Sequence, residues 1–342
     1  MDRRRDAESD KGELAVAQTK RIDPGARNLN ELSKPTERLH VAGAGDDYNE
    51  QEAEQTKAAI SSVYDMIAAT WNLGDLWNWG FHDAKLEAQV EEILPGFTSF
   101  GSDGFSELLY FHTLTQIPLG LDAYRDKRVL EVGCGIGAGL NFLSRVTGAA
   151  QLSGVDISKA AIARANGRYS RGEQLTYTVG DAENLPFEDG AFDVVVNVES
   201  SHSYPSLGRF FDEVARVLKP GGYLSLVDAL TDHRADTFAK AMPGCPRLEW
   251  LAENDISPQV KAAVRKRMAP DSFVRRTFAQ QRMSPVKRTI AQHGLLTALG
   301  APFTGDASMS PVAKWSRKKT GLGVSDKAPV RSYRHYLATR VS

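Results

Sequence analysis

Two cysteines in 342 residues, Cys134 and Cys245, exclude a disulfide framework and point to a reducing, cytoplasmic compartment. No run of about eighteen apolar residues occurs, so no membrane-spanning helix is expected. The N-terminal "MDRRRDAESDKGELAVAQTK" begins with bases but has no apolar segment behind it, which argues against a secretory signal. An excess of charge is missing as well. With 42 Lys and Arg against 43 Asp and Glu the formal net charge is −1, and no overall field favours nucleic acid or a membrane surface. What remains is the composition of an ordinary soluble protein, 42% hydrophobic and 25% charged, sufficient for one large domain or two modest ones.

Three regions separate along the chain. Residues 1–55 are polar and rich in turn formers, as in "DPGARNLNELSKPTE" and "AGAGDDYNEQ", and cannot support a core of their own. Within them "LNELSKPTERLHV" carries Leu29, Leu32 and Val41 for short docking contacts, so this extension is expected to be a loose leader or a docking arm that makes a homo-oligomer. Residues 56–122 read as a helical cap: Ile60, Val63, Tyr64, Ile67 and Trp71 fall at helical spacing, and aromatics crowd from Trp71 to Phe111. From 123 to 342 strand and helix patterns alternate, with a helical insertion expected over about 232–300.

The alternation runs "KRVLEVG" (strand), "AGLNFLSRVTG" (helix), "QLSGVDI" (strand), "SKAAIARANGRYS" (helix) with Ser158 as its N-cap, "LTYTVGD" and "AFDVVVNVES" (strands), "SLGRFFDEVARVLKPGG" (helix) and "GYLSLVDAL" (strand). Continuously apolar runs such as "DVVVNV" belong to a sheet covered on both faces. The fold class is α/β, a doubly wound, Rossmann-like and mainly parallel sheet with an N-terminal helical lid.

In such a sheet ligands bind beyond the carboxyl ends of the strands, where strand order reverses. The turn after the first strand, "VGCGIG", places Gly133, Gly135 and Gly137 there, and glycine lets a ligand approach the backbone. Asp156 ends the second strand, 19 residues after Gly137, where a carboxylate accepts ribose hydroxyls. Asp181 ends the third, where a side chain meets an adenine edge. A dinucleotide turn is usually Gly-x-Gly-x-x-Gly and faces a pyrophosphate. Here Glu131 stands two residues before the first glycine and would repel phosphate but suit an ammonium group. S-Adenosylmethionine, zwitterionic and without phosphate, fits better than NAD.

The stretches "VLEVGCGIG", "GVDIS", "GDAENLPFEDGAFDVVVNVESSHSYP" and "FFDEVARVLKPGGYLSLVD" resemble the successive motifs of class I S-adenosylmethionine-dependent methyltransferases. More narrowly, "DAENLPF", "NVESSHSYP" and "SYRHYLATR" resemble the phthiotriol and phenolphthiotriol dimycocerosate methyltransferases and related actinobacterial enzymes of lipid and polyketide metabolism. The class-level resemblance covers roughly residues 60–342; the extension before residue 55 has no counterpart, and residues 301–330 depart from the pattern. The resemblance implies that Glu131, Gly133, Cys134 and Gly135 line the methionine part of the cofactor. It gives the ribose hydroxyls to Asp156, packs Ile157 on the adenine, assigns the adenine edge to Asp181 and Ala182, and takes main-chain contacts near the sulfonium from Asn197 and Val198. It also makes Tyr64, in "VYDMIAATW", a contact to the methionine carboxylate.

A sulfonium methyl is already activated, so rate comes from aligning the acceptor and excluding water. An oxygen acceptor gains from a base, and His202 is the candidate, with Glu199 in support or facing the cofactor. His82, His112 and His335 are secondary and read as structural. Trp77, Trp79 and Phe81 suggest a hydrophobic small-molecule acceptor, though the same rings suit packing of helices onto the sheet. Nucleic-acid acceptors fit less well, because "NVESSH" stands where amino-methylating enzymes of that type carry Asn/Asp-Pro-Pro-Tyr. No metal is expected. O-methylation is favoured; C-methylation of an alkene, with a cation against Trp77 or Trp79, and a non-methylating cyclase or scaffold stay open.

Overall fold

The structure is a computed structural model that describes residues 48–70, 78–99, 102–280, 284, 300–304 and 329–342. Most of the expected N-terminal extension, including "LNELSKPTERLHV", lies outside the described residues, as do Trp71, Trp77 and most of 301–330.

Among the described residues three helices precede the sheet: α1 (Glu50–Thr70), α2 (Ala84–Ile93) and α3 (Phe105–Thr115). Asp83 caps α2, its carboxylate accepting from the N–H groups of Lys85 and Leu86. The α/β part then runs β1 (Arg128–Val132), α4 (Ala138–Thr147), β2 (Gln151–Asp156), α5 (Lys159–Tyr169), β3 (Leu175–Val179), β4 (Phe192–Val198), α6 (Leu207–Val217), β5 (Leu218–Leu230), α7 (Asp232–Ala241), β6 (Leu248–Asp255), α8 (Ser257–Met268), α9 (Phe273–Gln280) and β7 (Ser332–Arg340). Ser158 is the N-cap of α5, as its position in the sequence suggests.

The sheet has the order β3-β2-β1-β4-β5-β7-β6. The first five strands are parallel; β7 runs antiparallel between β5 and β6. Side chains alternate across it. Val129, Val194 and Val196 join one apolar cluster with Leu140, Phe142 and α3, while Leu130, Val132 and Val195 join another with Phe210, Phe211 and Val214 of α6. Both faces are therefore buried, which is why Val194, Val195 and Val196 of β4 read as an unbroken apolar run.

Two expectations need correction. The helix of "SLGRFFDEVARVLKPGG" ends at Val217, because Pro220 supplies no N–H and biases Lys219 to extended backbone, and "LKPGG" leads into β5. The region 232–300 is not wholly helical: β6 lies within it, its alternation of Leu248, Trp250 and Ala252 with Glu249 and Glu253 fitting an edge strand. Among the described residues no helix is long and apolar enough to cross a membrane.

Candidate active site

Strand order reverses between β1 and β4, and a pocket opens at the carboxyl ends of β1 to β4. Its empty space, open solvent included, is about 910 Å³. Of the residues singled out from the sequence, Tyr64, Gly133, Cys134, Gly135, Asp156, Ile157, Asp181, Ala182, Val198 and Glu199 line it.

The glycine turn is shaped by close approach. Gly133 has φ 76°, and a Cβ there would fall 2.2 Å from Ser200 Oγ, so only glycine lets the loop after β4 sit on the turn. The Asn197 side chain, fully buried, donates to the Val132 carbonyl (2.9 Å) and Ser200 Oγ (2.8 Å) and braces that contact. It is not among the pocket-lining residues. The Asp156 carboxylate accepts the Gly135 N–H and the Ser158 N–H, each at 2.8 Å. Burial raises its pKa against the pull of those donors. Each oxygen keeps a further lone pair for a ligand hydroxyl. Cys134 is a buried thiol that burial pushes well up, so it is no nucleophile.

Glu131 lies under the pocket rather than on its wall. It is fully buried, its pKa pushed up to about 8 by burial, and Tyr110 Oη donates to its Oε1 at 2.7 Å. Tyr110 is the residue that lines the pocket there. It reaches that position over Gly139, where a Cβ would lie 2.0 Å from Tyr110 Cζ. At the other end Lys57 Nζ of α1 meets Asp181 Oδ2 at 2.6 Å and Glu183 Oε2 at 3.1 Å. Burial lowers the Lys57 pKa, but the two acids outweigh it and hold it above its ordinary value. Asp65 of α1 accepts from Ser158 Oγ (2.6 Å) and the Ala160 N–H (3.0 Å), so this helix is fastened beside both acid-bearing strand ends. Tyr64, pushed to about 12 by burial, hydrogen-bonds Ser203.

His202 is held from behind. Its Nδ1 lies 2.7 Å from Asp228 Oδ1 on β5, and Asp228 also accepts from Ser201 Oγ (2.5 Å) and the His202 N–H (2.8 Å). Burial would raise Asp228, but His202 and these donors keep it below its ordinary value. The carboxylate only accepts, so Nδ1 carries a proton and, in the neutral ring, Nε2 holds the lone pair. Burial lowers His202; Asp228 outweighs it and lifts the pKa above the usual histidine value. The buried Arg234 donates to the Ser201 carbonyl at 2.9 Å and fixes this loop.

Glu199 has φ 48°, the one non-glycine residue with positive φ among the described residues. Its Oε1 accepts the Trp79 N–H at 2.6 Å and the Tyr333 hydroxyl, and burial pushes its pKa to about 7. Trp79 packs on Phe303 (5.5 Å) and Tyr333 (6.0 Å), and Phe81 stacks on His112 (4.3 Å). Both are buried and neither lines the pocket; Trp77 lies outside the described residues. The rings of half-buried His112 and buried His335 lie 5.7 Å apart, burial pulling their pKa values to about 4 and about 3. Among the described residues no group of three or more His, Cys, Asp or Glu is arranged to hold a metal ion.

Sequence reading missed Tyr110, Lys57, Asp228 and Tyr333. Of these only Asp228 carried a signal, an acid near the end of a buried strand.

This topology and pocket are those of a class I methyltransferase fold, and residues 130–226 match the family described as methyltransferase domain. The chain is similar to phthiotriol/phenolphthiotriol dimycocerosates methyltransferase 1 of Mycobacterium ulcerans, 40% identical over 158 residues, which is 46% of this chain and 56% of that protein. It is also similar to a fatty-acid O-methyltransferase of Mycolicibacterium smegmatis, 38% identical over 164 residues, 48% of this chain and 57% of that one. The matched segments thus span little more than half the length of these relatives. Among solved structures it shares its fold with the [4+2]-cyclase SpnF (TM-score 0.54, 17% identity, 83% of this chain, 96% of that one). It shares it also with the geranyl diphosphate C-methyltransferase of Streptomyces coelicolor (0.53, 16%, 84% and 98%).

Proposed function

We propose that this protein transfers the methyl group of S-adenosylmethionine to an oxygen of a hydrophobic small-molecule acceptor and releases S-adenosylhomocysteine. The observation that carries the reading is the His202–Asp228 pair, 2.7 Å apart: His202 is not itself among the pocket-lining residues but stands between Ser200 and Ser203, which line the pocket where the glycine turn, Asp156 and Asp181 converge.

The donor set fits that cofactor. Asp156 would hold the ribose hydroxyls, Asp181 and Ala182 the adenine edge, and Ile157 the base. The backbone of Gly133 to Gly135, with Tyr64 and Tyr110, would surround the methionine part. An adenosyl sulfonium supplies an electrophilic methyl that needs no further activation. The protein's own work is to align and to take a proton. His202 Nε2, with Nδ1 anchored on Asp228, accepts the hydroxyl proton of the acceptor, and the imidazolium formed is stabilised by the Asp228 carboxylate. Glu199 lines the pocket and is held from behind by the Trp79 N–H and the Tyr333 hydroxyl, and we read the helical segment 56–122 as the acceptor's cap and a shield against water. Support for an apolar acceptor comes from the relatives named for lipid substrates.

The test is transfer from methyl-labelled cofactor to a panel of long-chain hydroxyl and carboxyl acceptors. The expected result is an O-methyl product whose rate falls roughly 10²- to 10⁴-fold in His202→Ala while S-adenosylhomocysteine affinity holds. A product methylated at carbon, or full turnover by the variant, overturns the oxygen reading; loss of label transfer to every acceptor favours a cyclase or scaffold.

A further inference from the structure

The formal net charge of −1 conceals a segregation. Between Ser257 and Arg288 there are nine bases, Lys261, Arg265, Lys266, Arg267, Arg275, Arg276, Arg282, Lys287 and Arg288, and a single acid, Asp271. In the described part of this stretch α8 buries Val260, Ala263, Val264 and Arg267. Arg267 is consumed internally, by Asp103 (2.6 and 2.8 Å) and the Asn78 carbonyl (2.7 Å). Arg265 and Lys266 are exposed at the end of α8, Lys261 lies one turn earlier over the Phe303 ring (4.6 Å), and Arg276 is exposed on α9. The solvent-exposed face of α8 thus carries Arg265 and Lys266 and α9 adds Arg276, with exposed Asp271 between the helices and exposed Asp255 near Lys261 as the neighbouring acids.

The position of that face matters. Ser257, at the start of α8, accepts the Tyr333 N–H at 2.9 Å, and Tyr333 bonds Glu199 on the pocket wall. The Gln259 carbonyl accepts the His82 N–H at 3.3 Å, so α8 also flanks the Trp79–Phe81 segment. The bases of α8 thus flank the buried ring cluster of Trp79, Phe303 and Tyr333, which the Tyr333 hydroxyl links to Glu199 on the pocket wall. An acceptor that partitions out of water must be met where it resides, and exposed basic helices suit the anionic surface of a bilayer.

We infer that the exposed bases of α8 and α9 dock the protein on an anionic lipid surface. The idea rests on the apolar-acceptor reading only for its purpose, since docking itself needs neither cofactor nor acceptor.

The experiment is co-sedimentation of the full chain with phosphatidylcholine vesicles, with and without phosphatidylglycerol, in low and high salt and without cofactor. Binding only to the phosphatidylglycerol vesicles, weakened by salt and on the order of a hundredfold weaker in a Lys261→Glu, Lys266→Glu, Arg276→Glu variant, supports it. A Lys159→Glu, Arg168→Glu, Lys240→Glu variant makes an equal charge change elsewhere and is expected to bind as the parent does. Equal unfolding temperatures of the three proteins exclude a folding artefact. Equal losses in both variants, no binding to anionic vesicles, or patch-dependent binding to RNA instead would overturn it. Methyl transfer to a water-soluble acceptor analogue without vesicles separates failure here from failure of the enzymatic reading.

Discussion

Tyr110 and Glu131 meet at 2.7 Å beneath the glycine turn, a buried hydroxyl donating to a buried carboxyl, and the absence of a side chain at Gly139 makes room for the ring. Removing the donor in Tyr110→Phe leaves Glu131 Oε1 without its partner and should cost about 1–3 kcal/mol. Urea unfolding checks it. Gly139→Ala should displace the ring and weaken S-adenosylhomocysteine binding in calorimetry; unaltered stability in the first variant and unaltered affinity in the second would sink the arrangement.

Lys57 ties α1 to Asp181 and Glu183 at the adenine end of the pocket. The lysine side chain is 11% exposed but Asp181 is 29% exposed, so screening trims the pair to about 1 kcal/mol. Lys57→Met is then expected to speed S-adenosylhomocysteine release roughly fivefold and to raise amide exchange in α1. Stopped-flow release and hydrogen exchange measure the two separately, and no change in either would mean that the helix is held without this lysine.

Asp228 lifts the His202 pKa, so below that pKa the base is protonated and idle, and turnover rises with pH through it. Asp228→Asn removes the charge and should shift the rising limb of kcat/KM to lower pH while lowering its plateau. An unmoved limb would detach Asp228 from the titrating group.

His112 stays neutral in the fold down to about 4, whereas an unfolded histidine binds its proton near 6.5. Between those values the unfolded chain holds more protons, so this residue's contribution is present above 6.5 and lost as pH falls toward 4. Glu107, Glu131 and Glu199, raised to about 7, 8 and 7, act oppositely: their contribution is full below about 4.5 and lost as pH rises. The measurement is therefore the difference in unfolding free energy between the parent and His112→Phe, which keeps a ring against Phe81. The difference should move in the variant's favour by up to a few kcal/mol from pH 6.5 to 4; a flat difference would refute it.

The elements around the pocket were legible wherever their cause is local. Gly133, Gly135, Asp156 and Asp181 announce themselves because a strand end, a positive-φ turn and an N-cap are set by neighbours a few residues away. Glu131 showed its charge but not its burial under Tyr110. Trp79 and Phe81 showed their rings but not whether those rings face a pocket or a neighbouring helix.

The amino-acid sequence alone determined the α/β class, the switch-point pocket and its acid-bearing strand ends, since periodicity and turn chemistry are short-range properties of the backbone. Only the tertiary structure decided that Asp228 stands behind His202, 26 residues away, that Lys57 crosses 124 residues to Asp181, and that Tyr333 reaches Glu199 across 134. It also decided that the last strand, β7, inserts between β5 and β6. Such pairings arise when burial of both sheet faces leaves each polar group to find its partner in whatever element packing brings beside it, and distance along the chain carries no record of that choice.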